Sequence, residues 1–381
     1  MTPGTKNVTL GWGASPLEVT VPEHANILRS PGLSSKSEIS SLIKAALDKP
    51  IGAQPLSILL RQPSRICVLI PDSTRKDLGA ELLDYLLPHL AGHEVEVGVA
   101  TGKHPPEHPK GDQWQHNARS TDLVTVGHTS FGTEVAYPPR VIEADLRICL
   151  GEIRPHYFAG YAGGAKTLFP GVAGEAGIWH NHTLKASAGA RLGQVDDNPC
   201  RRDMEEAAQL AGPSFIINVV RAADGSISEI VAGDPIQAHR AGTQRARPYF
   251  EVEVQQHFNS VLISDRTPVT MNLYQACKLL PPAGRILREG GTIILAAECT
   301  EGIGPVSTIN EAIYRLGSVH SLPKKHRVIL VSRHTPSDVA PTFADYAPDI
   351  GSALAMVDSS SLAVIPYGGD LVPHINPVEA R

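Results

Sequence analysis

The sequence lacks the features that mark secreted, membrane-spanning and zinc-finger proteins. Its five cysteines are an odd number, and no two of them form a C-x-x-C pair, which indicates reduced core residues rather than a disulfide framework or a zinc site. No apolar run approaches the roughly 20 residues that a membrane span needs. The opening MTPGTKNVTLGWG has neither the basic nor the apolar region of a secretory signal. We therefore expect a cytoplasmic protein with no membrane partner.

The sequence also has no excess of positive charge. It contains 34 Lys and Arg residues against 39 Asp and Glu residues, so its formal net charge is -5, and it has no basic run. A nucleic-acid partner would be expected to leave a basic stripe or patch, so we expect none. The 381 residues are enough for two domains with well-filled cores.

Two series of apolar strands alternating with helices predict an α/β protein. The run RICVLI at 65–70 has no polar alternation, which is typical of a parallel strand buried on both faces. EVEVGVAT at 94–101 and LRICLG at 146–151 predict further strands, and a second series begins with SVLISD at 260–265.

The change between the two series predicts two α/β domains with mostly parallel sheets and an active site in the cleft between them. The first domain is expected at 1–254 and the second at 255–368. The C-terminal tail, 369–381, is a candidate to pack back on the first domain.

Polar side chains follow several of the predicted strands. Asp72 and Arg75 lie in the turn PDSTRKD, His104 in ATGKHPP and His156 in GEIRPHYFAG. Ligands of open parallel sheets bind beyond the carboxyl ends of the strands, and two histidines suit acid/base chemistry near neutral pH. Alternatives stay open, because a loop histidine is usually an ordinary surface residue and Asp72 is equally suited to cap a helix.

A glycine-rich stretch surrounds Lys166. It approaches a phosphate-binding P-loop at Gly160, Gly164, Lys166 and Thr167, but Ala165 stands where that loop needs glycine. Glycine lets a backbone approach a bulky partner closely, and lysine amines form covalent bonds with carbonyl-type cofactors. An exposed lysine on a flexible loop is the alternative.

Two further segments carry weaker signals. His180 and His182 form H-x-H, which supplies at most one or two metal ligands without nearby carboxylates or thiolates, and an ordinary surface role is favoured for His180. A helix predicted from Met271 places Gln275 and Lys278 three residues apart on one face. A solvated helix face is the usual explanation for such a pair.

Taken together, these motifs resemble the lactate racemase family over nearly the whole chain. The resemblance is carried by TGKH, GEIRPHYFAGYAGGAKTLFPG, the NH pair at 181–182 and YQACK at 274–278. It implies an isomerase that racemises a short-chain 2-hydroxy acid, lactate or a close homologue. The implied reaction is proton-coupled hydride transfer through a 2-keto acid intermediate. The implied cofactor is the nickel-pincer nucleotide, pyridinium-3-thioamide-5-thiocarboxylic acid mononucleotide nickel.

The resemblance also implies a role for each matching residue. Lys166 would carry the covalent thioamide link to the cofactor, and His182 would bind nickel, whose other three ligands come from the pincer itself. His104 and His156 would be the acid/base pair. The implied substrate contacts are Arg75, Gln275 and Lys278, and the implied cofactor contacts are Asp72, Gly163, Gly164, Thr167 and Tyr274.

One position departs from the family pattern. Members often have arginine after the first catalytic histidine, whereas this chain has Pro105. The loss of that cation from the rim is expected to alter which substrates are accepted.

Other functions remain compatible with the residues. The same machinery would serve C2 epimerisation or racemisation of a larger 2-hydroxy acid such as malate, an aromatic hydroxy acid or a sugar acid. A metal-dependent hydro-lyase or hydrolase would use His180 and His182. A cofactor carrier without catalysis is disfavoured, because it needs no acid/base pair. The expected partners are the substrate and, transiently, the enzymes that make the cofactor.

Overall fold

The computed structural model describes residues 4–33, 38–72, 78–104, 106, 111–307, 309–310 and 321–376. The described residues form two compact units. The N-terminal unit comprises those within Gly32–Ala190 and Gln194–Tyr249. The C-terminal unit comprises those within Met1–Pro31, Arg191–Gly193 and Phe250–Arg381.

Strands and short helices alternate along both units. The strands are β1 (Thr5–Leu10), β2 (Trp12–Gly13), β3 (Leu17–Pro22), β4 (Asn26–Ile27), β5 (Arg65–Pro71), β6 (Glu94–Ala100), β7 (Trp114–Gln115), β8 (Val124–His128), β9 (Glu134–Tyr137), β10 (Leu146–Glu152), β11 (Pro155–His156), β12 (Gly160–Tyr161), β13 (Ser214–Arg221), β14 (Ile227–Gly233), β15 (Glu251–Val254), β16 (Phe258–Arg266), β17 (Leu287–Ala296), β18 (Arg327–Val331), β19 (Asp345–Ala347), β20 (Leu362–Ile365) and β21 (Val372–Ile375). The helices are α1 (Ile39–Asp48), α2 (Leu56–Leu59), α3 (Leu78–Leu86), α4 (Pro139–Ile142), α5 (Glu175–Thr183), α6 (Pro199–Leu210), α7 (Gln237–Phe250), α8 (Leu273–Ala276) and α9 (Leu280–Gly284), with further short helices at Pro336–Val339 and Ile350–Ala355.

The N-terminal unit is built on a six-stranded sheet in the order β14-β13-β10-β5-β6-β7. Its strands are parallel except for β14, which pairs antiparallel with β13. Strand β5 shows why the run at 66–70 is apolar throughout. Val68 packs into the hydrophobic core on one face, whereas Cys67 and Leu69 pack into a second core on the other. Successive side chains of a strand point to opposite faces, so a strand between two cores is apolar throughout.

The C-terminal unit is built on a seven-stranded parallel sheet in the order β19-β18-β17-β16-β20-β4, with β2 also pairing with β16. The α/β class with mostly parallel sheets is therefore confirmed.

The compact units differ from the predicted domain ranges at both ends of the chain. The N-terminal segment groups with the C-terminal unit, because β2 and β4 hydrogen-bond with β16 and β20. The described part of the tail also belongs to the C-terminal unit, since β21 pairs with β15. Near the predicted boundary at residue 255, the division falls between Tyr249 and Phe250.

The five cysteines are free and buried. Burial raises the pKa of the Cys67 thiol to about 12, so this thiol stays protonated at neutral pH and is unreactive. None of the helices in the described ranges combines the length and apolarity needed to cross a bilayer.

Candidate active site

Three adjacent parallel strands of the N-terminal unit carry the predicted acid/base residues beyond one edge of the sheet. Strand β5 lies between β10 and β6. His156 follows β10, Asp72 follows β5 and His104 follows β6. Because neighbouring strands are about 4.8 Å apart, the ends of β10 and β6 are separated by roughly 10 Å. That spacing leaves room for a small molecule between groups carried by the two outer strands.

His104 is oriented by Asp72. Its Nδ1 lies 2.6 Å from the Asp72 Oδ2. An ionised carboxylate only accepts hydrogen bonds, so Nδ1 carries the proton and Nε2 is left for proton exchange. The Asp72 side chain is buried whereas the imidazole is more than half exposed. A buried carboxylate thus fixes the tautomer and ring direction of an exposed histidine.

The turn that presents His104 is closed by backbone hydrogen bonds. The His104 amide donates to the Thr101 carbonyl, and the Gly102 amide donates to the Gly171 carbonyl. Gly102 has a φ of +58°, a conformation that residues with a Cβ rarely adopt.

His156 contacts the predicted cofactor lysine. The Lys166 Nζ lies 3.4 Å from the His156 Nε2. The His156 Nδ1 accepts a hydrogen bond of 3.3 Å from the Ala159 amide. The ring also stacks on Tyr157 and meets Phe158 edge-on, with centroids 4.6 Å apart. The imidazole is therefore held on several sides, with Nε2 directed at the lysine.

Lys166 lies in a 3-10 turn, Gly164–Thr167, that two glycines make possible. Gly163 and Gly164 have φ values of +78° and +63°. A Cβ at Gly164 would lie 2.7 Å from the His239 ring, and one at Gly163 would lie 2.7 Å from the Asn218 Oδ1. The glycines thus let the backbone lie directly against buried polar side chains. The Thr167 hydroxyl donates to the Leu150 carbonyl, a bond that ties this turn to β10.

His182 lies in α5, on a different side of the helix from His180. The Nδ1 of His182 is 2.7 Å from the Ile178 carbonyl, so Nδ1 donates and Nε2 has the free lone pair. Desolvation, followed by the positive charges of Lys185, Lys103 and Lys166, holds its pKa well below the ordinary histidine value. His182 is therefore neutral near pH 7, the form that binds a metal.

His180 has a different environment. It is exposed, and its Nε2 is 3.0 Å from the Phe131 carbonyl. Residues two positions apart in a helix are about 200° apart around its axis. His180 and His182 therefore do not form a joint metal site.

Phe158 lies close to His156, Lys166, His182 and Lys185. Its buried ring lies 5.3 Å from the His182 ring, and the Lys166 and Lys185 ammonium groups lie 5.6 Å and 4.8 Å from its centroid. Lys103 lies 3.9 Å from the centroid of the exposed Trp179 ring. Sequence reasoning did not identify Lys103 or Lys185. The only sequence signal for Lys185 is its position three residues after His182, which places it on the same side of the chain as it leaves α5.

The predicted site residues of the C-terminal unit follow β16 in the chain and are Tyr274, Gln275 and Lys278. Asn272 caps α8 by accepting a hydrogen bond from the Gln275 amide. The Lys278 Nζ donates to the Gln275 Oε1, so these two residues share a face as predicted. Tyr274 is half-buried, and burial raises the pKa of its phenol. Predicted Arg75 and Pro105 lie outside the described residues.

The donor set fits a metal that brings most of its own ligands. Across the described ranges, no three His, Cys, Asp or Glu side chains converge on one point. His182 is neutral, however, and its Nδ1 is bonded to the Ile178 carbonyl. Such a bond at the second ring nitrogen is usual for metal-binding histidines. The positive charges of Lys166, Lys185 and Lys103 act on His182. These residues fit an anionic, covalently attached metal cofactor.

Comparison with known proteins identifies the family. Residues 12–193 match the model of the lactate racemase N-terminal domain. Lactate racemase from Thermoanaerobacterium thermosaccharolyticum is 28% identical over 96% of this chain and 99% of its own length. Lactate racemase from Lactiplantibacillus plantarum is 32% identical over 69% of this chain and 66% of its own length. The chain belongs to the lactate racemase family.

A solved structure of the family has the same fold. The lactate racemase apoprotein from Thermoanaerobacterium thermosaccharolyticum superimposes with a TM-score of 0.87 at 27% identity, covering 97% of this chain and 100% of that chain. The family resemblance drawn from the sequence motifs is thus confirmed, as is the α/β fold.

Proposed function

We propose that this chain is a racemase of lactate or a closely related short-chain 2-hydroxy acid, and thus an isomerase. The observation that carries the proposal is that two histidines lie beyond the carboxyl ends of strands in the same sheet. There a carboxylate-oriented histidine, His104, and a lysine-contacting histidine, His156, follow strands roughly 10 Å apart. The names of the family relatives support the same reaction.

His104 and His156 are proposed to exchange the hydroxyl proton of the substrate. Each enantiomer presents its hydroxyl group in a different direction, so a racemase needs one base for each. The Nε2 of His104 is available because Asp72 binds Nδ1. His156 is held by the Ala159 amide and its aromatic neighbours. The two rings therefore have independent supports, as two bases with separate roles require.

Lys166 and His182 are proposed to hold a nickel-pincer nucleotide. When bound, that cofactor supplies a centre that accepts the C2 hydride and returns it. Lys166 would provide the covalent link, and the neutral His182 would provide one nickel ligand through Nε2. Lys103 and Lys185 add positive charge that suits an anionic mononucleotide. Gly163, Gly164 and Thr167 would form the cradle.

The substrate carboxylate is proposed to be bound by Arg75 and Lys278, with Gln275 orienting the lysine through its side-chain oxygen. Tyr274, which lies one residue before Gln275, is proposed as a further cofactor contact. The planar guanidinium of Arg75 offers parallel N–H donors that match a carboxylate, and the Lys278 ammonium adds a positive charge.

The proposal is tested on protein produced together with cofactor-synthesis enzymes. Intact mass and nickel content are measured first, and then the change in optical rotation is followed with single enantiomers of lactate, malate, mandelate and a sugar acid. We expect a mass increase, about one nickel per chain and fastest racemisation of lactate or a close homologue.

Lys166→Ala is the control and should carry no adduct while keeping the wild-type melting temperature. The adduct without turnover of any acid would contradict the racemase proposal. Fastest turnover of malate, mandelate or the sugar acid would favour the larger-substrate alternative. Hydration or hydrolysis without the adduct would favour the hydro-lyase or hydrolase.

A further inference from the structure

A layer of buried polar side chains lies beneath the loop that joins His156 to Lys166. It consists of Arg201 on α6, Asn218 on β13 and His239 on α7, all of which are fully buried. These three residues come from separate elements of the N-terminal unit, and none of them is needed for acid/base or metal chemistry.

Arg201 binds a run of loop carbonyls. Its guanidinium donates to the carbonyls of Ala159 at 3.4 Å, of Gly163 at 3.0 Å and of Tyr161. Burial lowers the pKa of Arg201 only to about 10, so the group is charged and fully able to donate at neutral pH. One side chain therefore sets the direction of three peptide groups.

Asn218 and His239 bind two further backbone groups of the same loop. The Asn218 Oδ1 accepts a 2.6 Å hydrogen bond from the Gly164 amide. The His239 Nε2 lies 2.8 Å from the Ala162 carbonyl and therefore donates to it. Ala162 and Gly164 flank the point at which the loop turns into the segment that carries Lys166.

The loop itself has little conformational preference. Gly160, Gly163 and Gly164 have φ values of +77°, +78° and +63°, and glycine populates positive and negative φ about equally. The pairing of β11 with β12 and the bond from the Ala159 amide to His156 hold the first half of the loop, and the path from Gly160 to Lys166 depends in addition on contacts from outside the loop.

We propose that Arg201, Asn218 and His239 form a buried clamp that positions the Lys166 amine against His156. The three are positioning residues, since they act on the reactive groups only through the loop backbone. The clamp sets the 3.4 Å approach of Lys166 to His156 and, resting on the proposed function, the readiness of Lys166 to receive the cofactor.

The test compares two substitutions of His239. His239→Leu removes the donor to the Ala162 carbonyl, whereas His239→Gln keeps a neutral donor at that site. Thr243→Val is the matched control, because Thr243 is also buried on α7, one turn further on, and its hydroxyl has no hydrogen-bond partner in the structure as described.

Two readouts are taken. Hydrogen exchange of the peptide spanning 158–168 is measured on apoprotein, and the rate of adduct formation on Lys166 is followed by intact mass. In His239→Leu we expect exchange to be at least tenfold faster and adduct formation at least tenfold slower, with Gln restoring both. Thr243→Val should match the wild type in both readouts.

The inference is overturned if His239→Leu leaves exchange unchanged, or speeds exchange without slowing adduct formation. If His239→Leu does not fold, Asn218→Ala takes its place and removes the acceptor for the Gly164 amide with the same expectations. Failure of the wild type to form the adduct would contradict the proposed function instead, and the exchange experiment on apoprotein would still test the clamp.

Discussion

At the scale of single residues, the sequence motifs predict which side chains react but not which residues support them. His104 and His156 were singled out because each follows a strand, and the structure places both beyond the same sheet edge. The bond from Asp72 to His104 was not foreseen. The two residues are 32 positions apart, and Asp72 was equally suited to cap a helix. Only the parallel pairing of β5 with β6 brings them together.

The Asp72–His104 contact predicts a positioning role for the carboxylate. Asp72→Asn should lower the racemisation kcat by a factor of about 10², within the range that general acid/base help supplies, because the amide orients the imidazole less strictly. KM and adduct formation should change little, since Asp72 acts on the histidine ring. Steady-state polarimetry and intact mass measure these quantities, with His104→Ala as the reference. Loss of the adduct in Asp72→Asn would show that Asp72 binds the cofactor instead.

The separate environments of His180 and His182 predict different effects on nickel binding. His182→Ala should lose most of the nickel, because it removes the neutral ring whose Nδ1 is bonded to the Ile178 carbonyl. His180→Ala should keep most of it, since that exposed side chain contacts the Phe131 carbonyl. Metal analysis of the purified variants measures the difference. Equal losses would contradict the assignment of His182 as the sole histidine ligand.

At the scale of elements, the buried strands were predictable and several helices were not. The runs at 65–70 and 146–151 became β5 and β10, because strands buried on both faces are largely apolar. The run at 94–101 became β6, which begins with alternating glutamate and valine and leaves Glu94 and Glu96 exposed. The segment 175–183 was not assigned as a helix, since EAGIWHNHT has no apolar stripe. Its helix is held by tertiary contacts, which a local pattern does not record.

One such contact predicts the effect of enlarging a glycine in α5. A Cβ at Gly177 would lie 2.2 Å from the Glu134 carbonyl oxygen on β9. In an isolated helix, Gly→Ala stabilises by about 1 kcal/mol. Gly177→Ala should instead destabilise by about 1–3 kcal/mol, since the helix must move away from the strand.

The displacement of α5 should also shift His182 and reduce nickel content. Chemical denaturation and metal analysis measure the two effects. Ala176→Gly, at the neighbouring exposed position, is the control. It should cost about 0.5–1 kcal/mol and retain nickel. A Gly177→Ala variant more stable than the wild type would contradict the close packing of α5 on β9.

At the scale of the whole molecule, the sequence predicts a boundary near residue 255 but carries no signal for the grouping of the chain ends. The boundary follows from the start of a second apolar series. The N-terminal segment joins the C-terminal unit through pairs such as Trp12 with Asp265, which are more than 250 residues apart in the sequence. Val8 and Leu10 accordingly pack with Leu262 in one core. No local pattern encodes a choice between two sheets that are both parallel and apolar.

Buried neutral histidines predict that the whole protein loses stability in mild acid. Burial lowers the pKa of His116 to about 4 and holds those of His182 and His239 well below the ordinary value. An unfolded histidine has a pKa of about 6.5. Below that pH the unfolded chain binds protons that the folded chain does not, so the free energy of unfolding falls as the pH falls.

The size of the effect follows from His116, which is buried. Between pH 7 and pH 5 it alone should remove about 2 kcal/mol from the free energy of unfolding of the N-terminal unit. Carboxylates whose pKa is lowered in the folded state, such as Glu175, titrate below pH 5 and do not contribute in this window.

Urea denaturation of apoprotein at pH 7 and pH 5, at equal ionic strength, measures the loss. His116→Gln is the decisive variant, because glutamine retains a donor for the Ala173 carbonyl, which the His116 Nε2 contacts at 3.0 Å, but does not titrate. The variant should lose about 2 kcal/mol less than the wild type over the same interval. An identical loss in both proteins would mean that His116 is protonated in the folded state.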